Sequence, residues 1–178
     1  MAGLLRSLYL SYFSKPKGFR PLYRAIRKRP PTKIVELGIG NGERTLRMLE
    51  LCEAGSETSY TGIDLFEARG EGAGPGLSLK AAHTKLAATG VKVRLVPGDP
   101  FSALARSANA LTGQDLILIS ADQDRESLAR AWFYVPRMMH PGTFVLLEEL
   151  VGGEPVLSQL LLVDVETLAQ APKGRRAA

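Results

Sequence analysis

The chain has 178 residues, 45% of them hydrophobic, and a formal net charge of +5. This length and composition fit one domain with a real core, and no apolar run reaches transmembrane length. The single cysteine, Cys52, excludes an intramolecular disulfide and a multi-cysteine zinc site.

Charge is distributed unevenly. Residues 1–33 contain nine Lys/Arg and no acid, and the tail from Lys173 adds three more basic groups. Residues 34–172 then carry a net −7. A basic arm on an acidic body suits phosphate binding, and equally a solvated helix face against an acidic neighbour. Leu4, Leu5, Leu8, Tyr9, Tyr12 and Phe13 recur at helical spacing, predicting an amphipathic helix over 3–13. Such a stripe is usually core, although an apolar stripe ahead of basic residues also fits a membrane-surface helix. Lys15-Pro16-Lys17-Gly18 breaks it, and a second helix is expected from Arg20 to Lys28 with Pro21 in its first turn. The N-terminus, interrupted by Arg6, lacks a secretory layout, so a cytoplasmic protein is expected.

After Pro30-Pro31 comes the most informative stretch, Ile34-Val35-Glu36-Leu37-Gly38-Ile39-Gly40-Asn41-Gly42-Glu43. An apolar run that ends in glycines reads as a buried strand entering a sharp turn, and a helix follows from Glu43. Glycine permits positive φ and close approach of a ligand to the backbone. The spacing is G-x-G-x-G, so the third glycine of a dinucleotide fingerprint is replaced by Glu43. Glu36 would repel a pyrophosphate and attract a cationic ligand.

At this point the sequence resembles the class I S-adenosylmethionine-dependent methyltransferases, whose first motif is acid-x-Gly-x-Gly-x-Gly. The resemblance implies an α/β fold: a doubly wound, mainly parallel Rossmann-like sheet of order 3-2-1-4-5, with helices on both faces. It implies S-adenosyl-L-methionine as cofactor, with Glu36, Gly38, Gly40 and Gly42 in its site.

The remaining elements follow in the family's order. Ser59 to Asp64 reads as the second strand, and Asp64, 22 residues past Gly42, stands where a ribose-binding acid is placed. Its carboxylate is expected to face an open cleft and matter little to stability; Leu65 beside it joins the cofactor site. A glycine-rich loop spans 69–76, and Ser78 is expected to cap a helix to about Ala88. His83 on that helix has no partner at metal spacing. Val91 to Val96 is the third strand. Asp99, with Pro100, matches the family's adenine-contacting acid and could also cap the next helix, Phe101 to Leu111. Leu116 to Ile119 is a central strand. Ser120 at its end is placed at the cofactor, and Asp122 is the candidate general base or substrate orienter, or simply an acid favouring the following helix N-terminus. A helix from Asp124 to Met139, a Pro141-Gly142 turn and a strand from Thr143 to Glu149 complete the match, with His140 expected to meet helix carbonyls.

Beyond Glu149 the resemblance fails. Only Ser158 to Val163 reads as a strand, with Asp164 capping a short helix, so the sheet should end in a shortened element. The expected organisation is a basic helical arm (1–32), a methyltransferase-like domain (33–172) and a disordered basic tail (173–178). The chain lacks the Pro-Pro-aromatic signature of base-nitrogen methylation. The closer likeness is to small-molecule O-methyltransferases. Their metal-dependent members carry an Asp where Ser120 stands and Asp-Asn where Glu148-Glu149 stands, so no metal is assigned. The expected partner is a small-molecule methyl acceptor, with nucleic acid possible through the arm and a homodimer also possible. The rival readings are RNA or protein methylation guided by the arm, and a non-catalytic cofactor-binding protein.

Overall fold

A computed structural model describes residues 3–52, 57–70 and 76–171. Much of the glycine-rich loop and the basic tail therefore lie outside the described residues. Two short helices come first, α1 (Leu4–Tyr12) and α2 (Arg20–Lys28). Then β1 (Lys33–Leu37), α3 (Glu43–Leu51), β2 (Ser59–Asp64), α4 (Leu79–Ala87) and β3 (Lys92–Pro97) alternate. The chain returns through α5 (Pro100–Ser107) to β4 (Leu116–Ile119), then α6 (Arg125–Ala131), α7 (Val135–Met138) and β5 (Phe144–Val151). It ends in β6 (Glu154–Leu160) and α8 (Leu162–Gln170).

The sheet order is β3-β2-β1-β4-β5-β6. The first five strands are parallel and β6 is antiparallel to β5. The chain goes outward from β1 and then returns to β4 on its other side. That reversal opens a crevice at the carboxyl ends of β1 and β4, where open α/β sheets bind ligands. The expected fold class and strand order are observed.

The central strands β1, β4 and β5 are largely apolar on both faces, as strands sandwiched between helices must be, whereas β3 and β6 at the edges alternate. Ile34, Leu116, Leu118 and Leu146 face a core shared with α1 to α4, through Leu10, Leu22, Tyr23, Ile26, Met48 and Leu86. Val35, Leu37, Ile117, Ile119 and Val145 face the other core, with Leu104, Trp132, Val135 and Val165. The arm is thus packed against the body. It also touches β6: a Cβ on Gly18 would lie 1.6 Å from the carbonyl oxygen of Pro155, so only glycine permits this approach.

Four expectations change. The helix over 124–139 is broken by a 3₁₀ turn, Trp132–Tyr134, ahead of Pro136, whose ring suits a first helical turn and not a helix interior. The last strand begins earlier than expected, because β5 runs on to Val151. Gly152 and Gly153, at φ 60° and 81°, then close a two-residue hairpin of the kind that needs positive φ at both positions. Asp164 does cap the last helix, but from inside its first turn and not ahead of it: its Oδ2 accepts the N–H of the N-cap residue Leu161 at 2.8 Å. His140 meets no helix carbonyl: its Nε2 lies 3.1 Å from Asp115 Oδ1, and its Nδ1 accepts the Gly142 N–H at 3.0 Å. The α1 stripe is a fifth difference, taken up below. Among the described residues, no helix is long and apolar enough to cross a membrane.

Candidate functional site

The site forms where β1 ends. Gly38, Gly40 and Gly42 all take positive φ, at 88°, 59° and 73°, so the three glycines are needed by the backbone path. The turn is held from the next strand. Asp64, at the end of β2 and 4% exposed, accepts N–H groups from Ile39 at 2.7 Å, Gly40 at 3.0 Å and Phe66 at 3.0 Å.

Asp64 does not face an open cleft. Arg69 folds back and pairs with both of its oxygens, at 3.0 Å through Nε and 2.7 Å through Nη2. Burial alone would raise the Asp64 pKa, but Arg69 and the three backbone donors outweigh it and hold the acid below its ordinary value. Arg69 also reaches Asp122 through Nη1 at 3.2 Å, bridging the ends of β2 and β4. The expectation that Asp64 matters little to stability is therefore corrected.

Glu36 has also found its cation within the chain. It is fully buried, and Arg44 of α3 donates to its Oε1 at 3.1 and 2.7 Å. Thr45 and Tyr60 hydroxyls donate to Oε2 at 2.8 and 2.7 Å. Arg44 donates further to the Gly38 carbonyl at 2.9 Å and pairs with Glu148 of β5. Burial alone would lower the Arg44 pKa; Glu36 and Glu148 more than offset that and raise it. The Tyr60 phenol, pushed well up by burial and Glu36, stays protonated as a donor. Glu36 thus clamps α3 to the sheet behind the glycine turn, held by Arg44, Thr45 and Tyr60 of the chain itself.

At the end of β4, Ser120 donates to Glu148 at 3.1 Å, and Gln123 donates to Asp122 Oδ1 at 2.7 Å. A Cβ on Gly38 would lie 2.3 Å from Gln123 Nε2, 2.7 Å from Ser120 Cβ and 2.9 Å from Asp122 Oδ1. The structure therefore brings Gly38, Ser120, Asp122 and Asp64 to one corner. Leu65 is exposed at its rim. Asp99 stands at the end of β3 as the N-cap of α5, accepting N–H groups of Phe101 and Ser102 at 3.1 Å each, while Pro100 is buried at the first helical position. Ser102 and Ser127 hydroxyls also donate to Asp99, so it joins α5 to α6. Burial would raise its pKa, but these donors hold it at about 2.

Three site residues escaped the sequence reading: Arg44, Arg69 and Gln123. Each is a common surface residue type in a helix or loop, and no spacing rule gives it a partner. The one available hint was Arg69's position five residues after an acid already assigned to the site. Among the described residues, no group of three or more His, Cys, Asp or Glu is placed to hold a metal ion.

No protein-family model matches the sequence, and no curated protein matches it. Solved structures do match. The O-methyltransferase TomG from Streptomyces achromogenes, solved with S-adenosylmethionine, superposes with a TM-score of 0.55 at 14% identity, over 83% of this chain and 66% of that one. An O-methyltransferase from Bacillus cereus, solved with S-adenosylhomocysteine, gives 0.56 at 17% identity, over 83% and 63%. A protein proposed to be an rRNA methylase from Clostridium thermocellum gives 0.57 at 11% identity, over 76% and 70%. The fold is that of the S-adenosylmethionine-dependent methyltransferases. The chain spans about two thirds of the length of the O-methyltransferases it superposes on.

Proposed function

We propose that this chain binds S-adenosyl-L-methionine at the β1–β4 crevice and transfers its methyl group, with the oxygen of a small molecule as acceptor. The observation that carries the reading is the Asp64 carboxylate at the end of β2, hydrogen-bonded to the turn at Ile39 and Gly40. It stands where vicinal ribose hydroxyls can take over the two bonds now made by Arg69. The donor set fits the group. Leu65 offers an exposed apolar edge for the adenine, and Asp99 follows the neighbouring strand β3. Glu36 and Glu148 outnumber Arg44, leaving a net negative charge behind the turn that favours a cationic ligand.

When bound, the sulfonium supplies an electrophilic methyl group. The chain's own task is to aim an acceptor at it and take a proton. Asp122, 42% exposed on its side chain, is the group able to accept a hydroxyl proton once Arg69 withdraws. Asp122 would take the proton that the acceptor hydroxyl loses on methylation.

Calorimetry with S-adenosylhomocysteine and with NAD tests the cofactor. Binding of the adenosyl compound and not of NAD is expected, and the reverse would end the assignment. A second reading, a cofactor-binding protein without catalysis, is favoured by one observation: Arg69 engages Asp122 as well as Asp64. A methyl-release assay over a panel of hydroxylated metabolites separates the two.

A further inference from the structure

The helix α1 is turned outward. Leu4, Leu5, Tyr9 and Phe13 are 73%, 83%, 49% and 69% exposed, while the residues α1 buries are Leu10 and Ser11. At helical spacing, Leu5, Tyr9 and Tyr12 lie along one face, roughly opposite Leu10 and Ser11. The inward side is the more polar one: Ser11 and Ser14 are buried, with the Ser14 hydroxyl donating to the Leu10 carbonyl at 2.6 Å. The apolar stripe expected to be core is thus largely exposed, and exposed apolar side chains grouped on a folded domain mark an interaction surface.

Cations flank this patch. A notch of about 470 Å³ between α1 and α2 is lined by Leu4, Ser7, Tyr12, Arg24, Arg27 and Lys28. Arg27 lies over the Tyr12 ring at 5.4 Å and donates to its hydroxyl at 3.3 Å, contacts that leave its charge uncompensated. Among the described residues, no acid lies within ion-pair distance of Arg24, Arg27 or Lys28. Residues 1–33 contain no acid at all.

We infer that α1 and α2 form a docking surface for an anionic lipid membrane. The apolar face of α1 lies in the headgroup–acyl boundary, and a lipid phosphate sits in the notch at Arg24, Arg27 and Lys28. This occupant uses both halves of the surface. A nucleic acid would use the cations and the aromatic rings but leave Leu4 and Leu5 in water. A second copy of the arm would bring like charges together. An interfacial helix with an apolar face and nearby Lys/Arg gains from burial and from the negative surface potential together. The inference stands apart from the methyl-transfer reading and survives its failure.

The test is flotation of the full chain with phosphatidylcholine vesicles, with and without phosphatidylserine. Binding to the phosphatidylserine vesicles, weakened by salt, is expected. Arg24→Glu with Arg27→Glu should lower it by at least about twenty-five-fold, since each basic residue near such a surface contributes about a factor of five. Leu5→Ser with Phe13→Ser should also lower it while keeping every cation. These side chains are largely exposed, so the melting temperature should hold in both variants. No flotation, or flotation indifferent to both pairs of substitutions, overturns the proposal. So does salt-sensitive binding of an RNA oligonucleotide without vesicle binding, or a dimer that the Leu5 and Phe13 changes dissociate.

Discussion

Arg44 and Arg69 are each set between two carboxylates, and their surroundings give them opposite roles. Arg44 joins Glu36 to Glu148 with both acids buried, and Thr45, Tyr60 and Ser120 supply further donors. Nothing from solvent can replace it. Arg69 joins Asp64 to Asp122, and Asp122 is largely exposed. Under the proposed function a ligand hydroxyl takes its place on Asp64, and three backbone N–H groups still hold that carboxylate. One arginine fastens the fold, and the other, under the proposed function, gives up its seat to the ligand.

Removing Arg44 breaks the comparison hardest. Arg44→Ala would leave two buried carboxylates without their cation, and removing one partner of such an arrangement costs roughly 3–5 kcal/mol. Chemical denaturation should show a large drop in midpoint. A loss under about 1 kcal/mol would mean that water reaches the pair and that Arg44 is no fastening.

Asp64→Ala comes next, and it should act on both properties. Ile39 and Gly40 lose their acceptor, and leaving such buried donors unpaired costs roughly 1–3 kcal/mol. Cofactor affinity should also fall by about one to two powers of ten, from two lost bonds to a charged acceptor. Titration of S-adenosylhomocysteine alongside ligand-free melts reads both. A stability loss with unchanged affinity would leave Asp64 a purely structural acid.

Arg69→Ala sharpens the distinction with the opposite sign. Its contact with Asp122 is exposed and contributes little, and Asp64 keeps its backbone donors. Its pair with Asp64 is buried, so a loss of roughly 1–3 kcal/mol is expected, below that for Arg44 because backbone N–H groups still hold the carboxylate, while affinity for S-adenosylhomocysteine rises by up to about tenfold because the ligand no longer competes with a charge-assisted pair. A fall in affinity would show that Arg69 helps hold the ligand and is no competitor for the seat.

The frame of the site was legible because it is written in local rules. Glycine spacing needs positive φ, apolar runs need burial, and Ser78 and Asp99 sit before helices whose first N–H groups they accept. The site's occupancy was not legible, because Arg44 meets Glu148 across 104 residues and Arg69 meets Asp122 across 53. No local pattern encodes such pairs. The α1 stripe failed for a related reason: periodicity shows that a helix has an apolar face but not which way the face points. Leu10 and Ser11 decide that, through packing against α2 and the sheet.

Asp99 offers the smallest and cleanest contrast, a carboxylate at the same edge of the sheet held without any arginine. Its donors are the N–H groups of Phe101 and Ser102 and the hydroxyls of Ser102 and Ser127. Burial would raise its pKa, yet these donors hold it at about 2, whereas an unfolded Asp titrates near ~3.9. The folded value is the lower one, so the ionised group stabilises the fold fully above about pH 4, and that contribution is lost as pH falls through about 2. Asp115, also held at about 2 by Thr32, Lys33 and His140 against the effect of burial, adds to the same acid limb. A difference measurement therefore isolates Asp99. Asp99→Ala removes the cap and should cost about 1 kcal/mol at neutral pH. Asp99→Asn keeps a good capping oxygen but cannot ionise, so it should cost less at neutral pH, and the gap to the parent chain should close between pH 4 and pH 2. Denaturation midpoints of the three proteins across that range measure this. A gap that stayed constant with pH would show that the charge of Asp99 contributes nothing and that hydrogen-bond geometry alone secures the junction of α5 and α6.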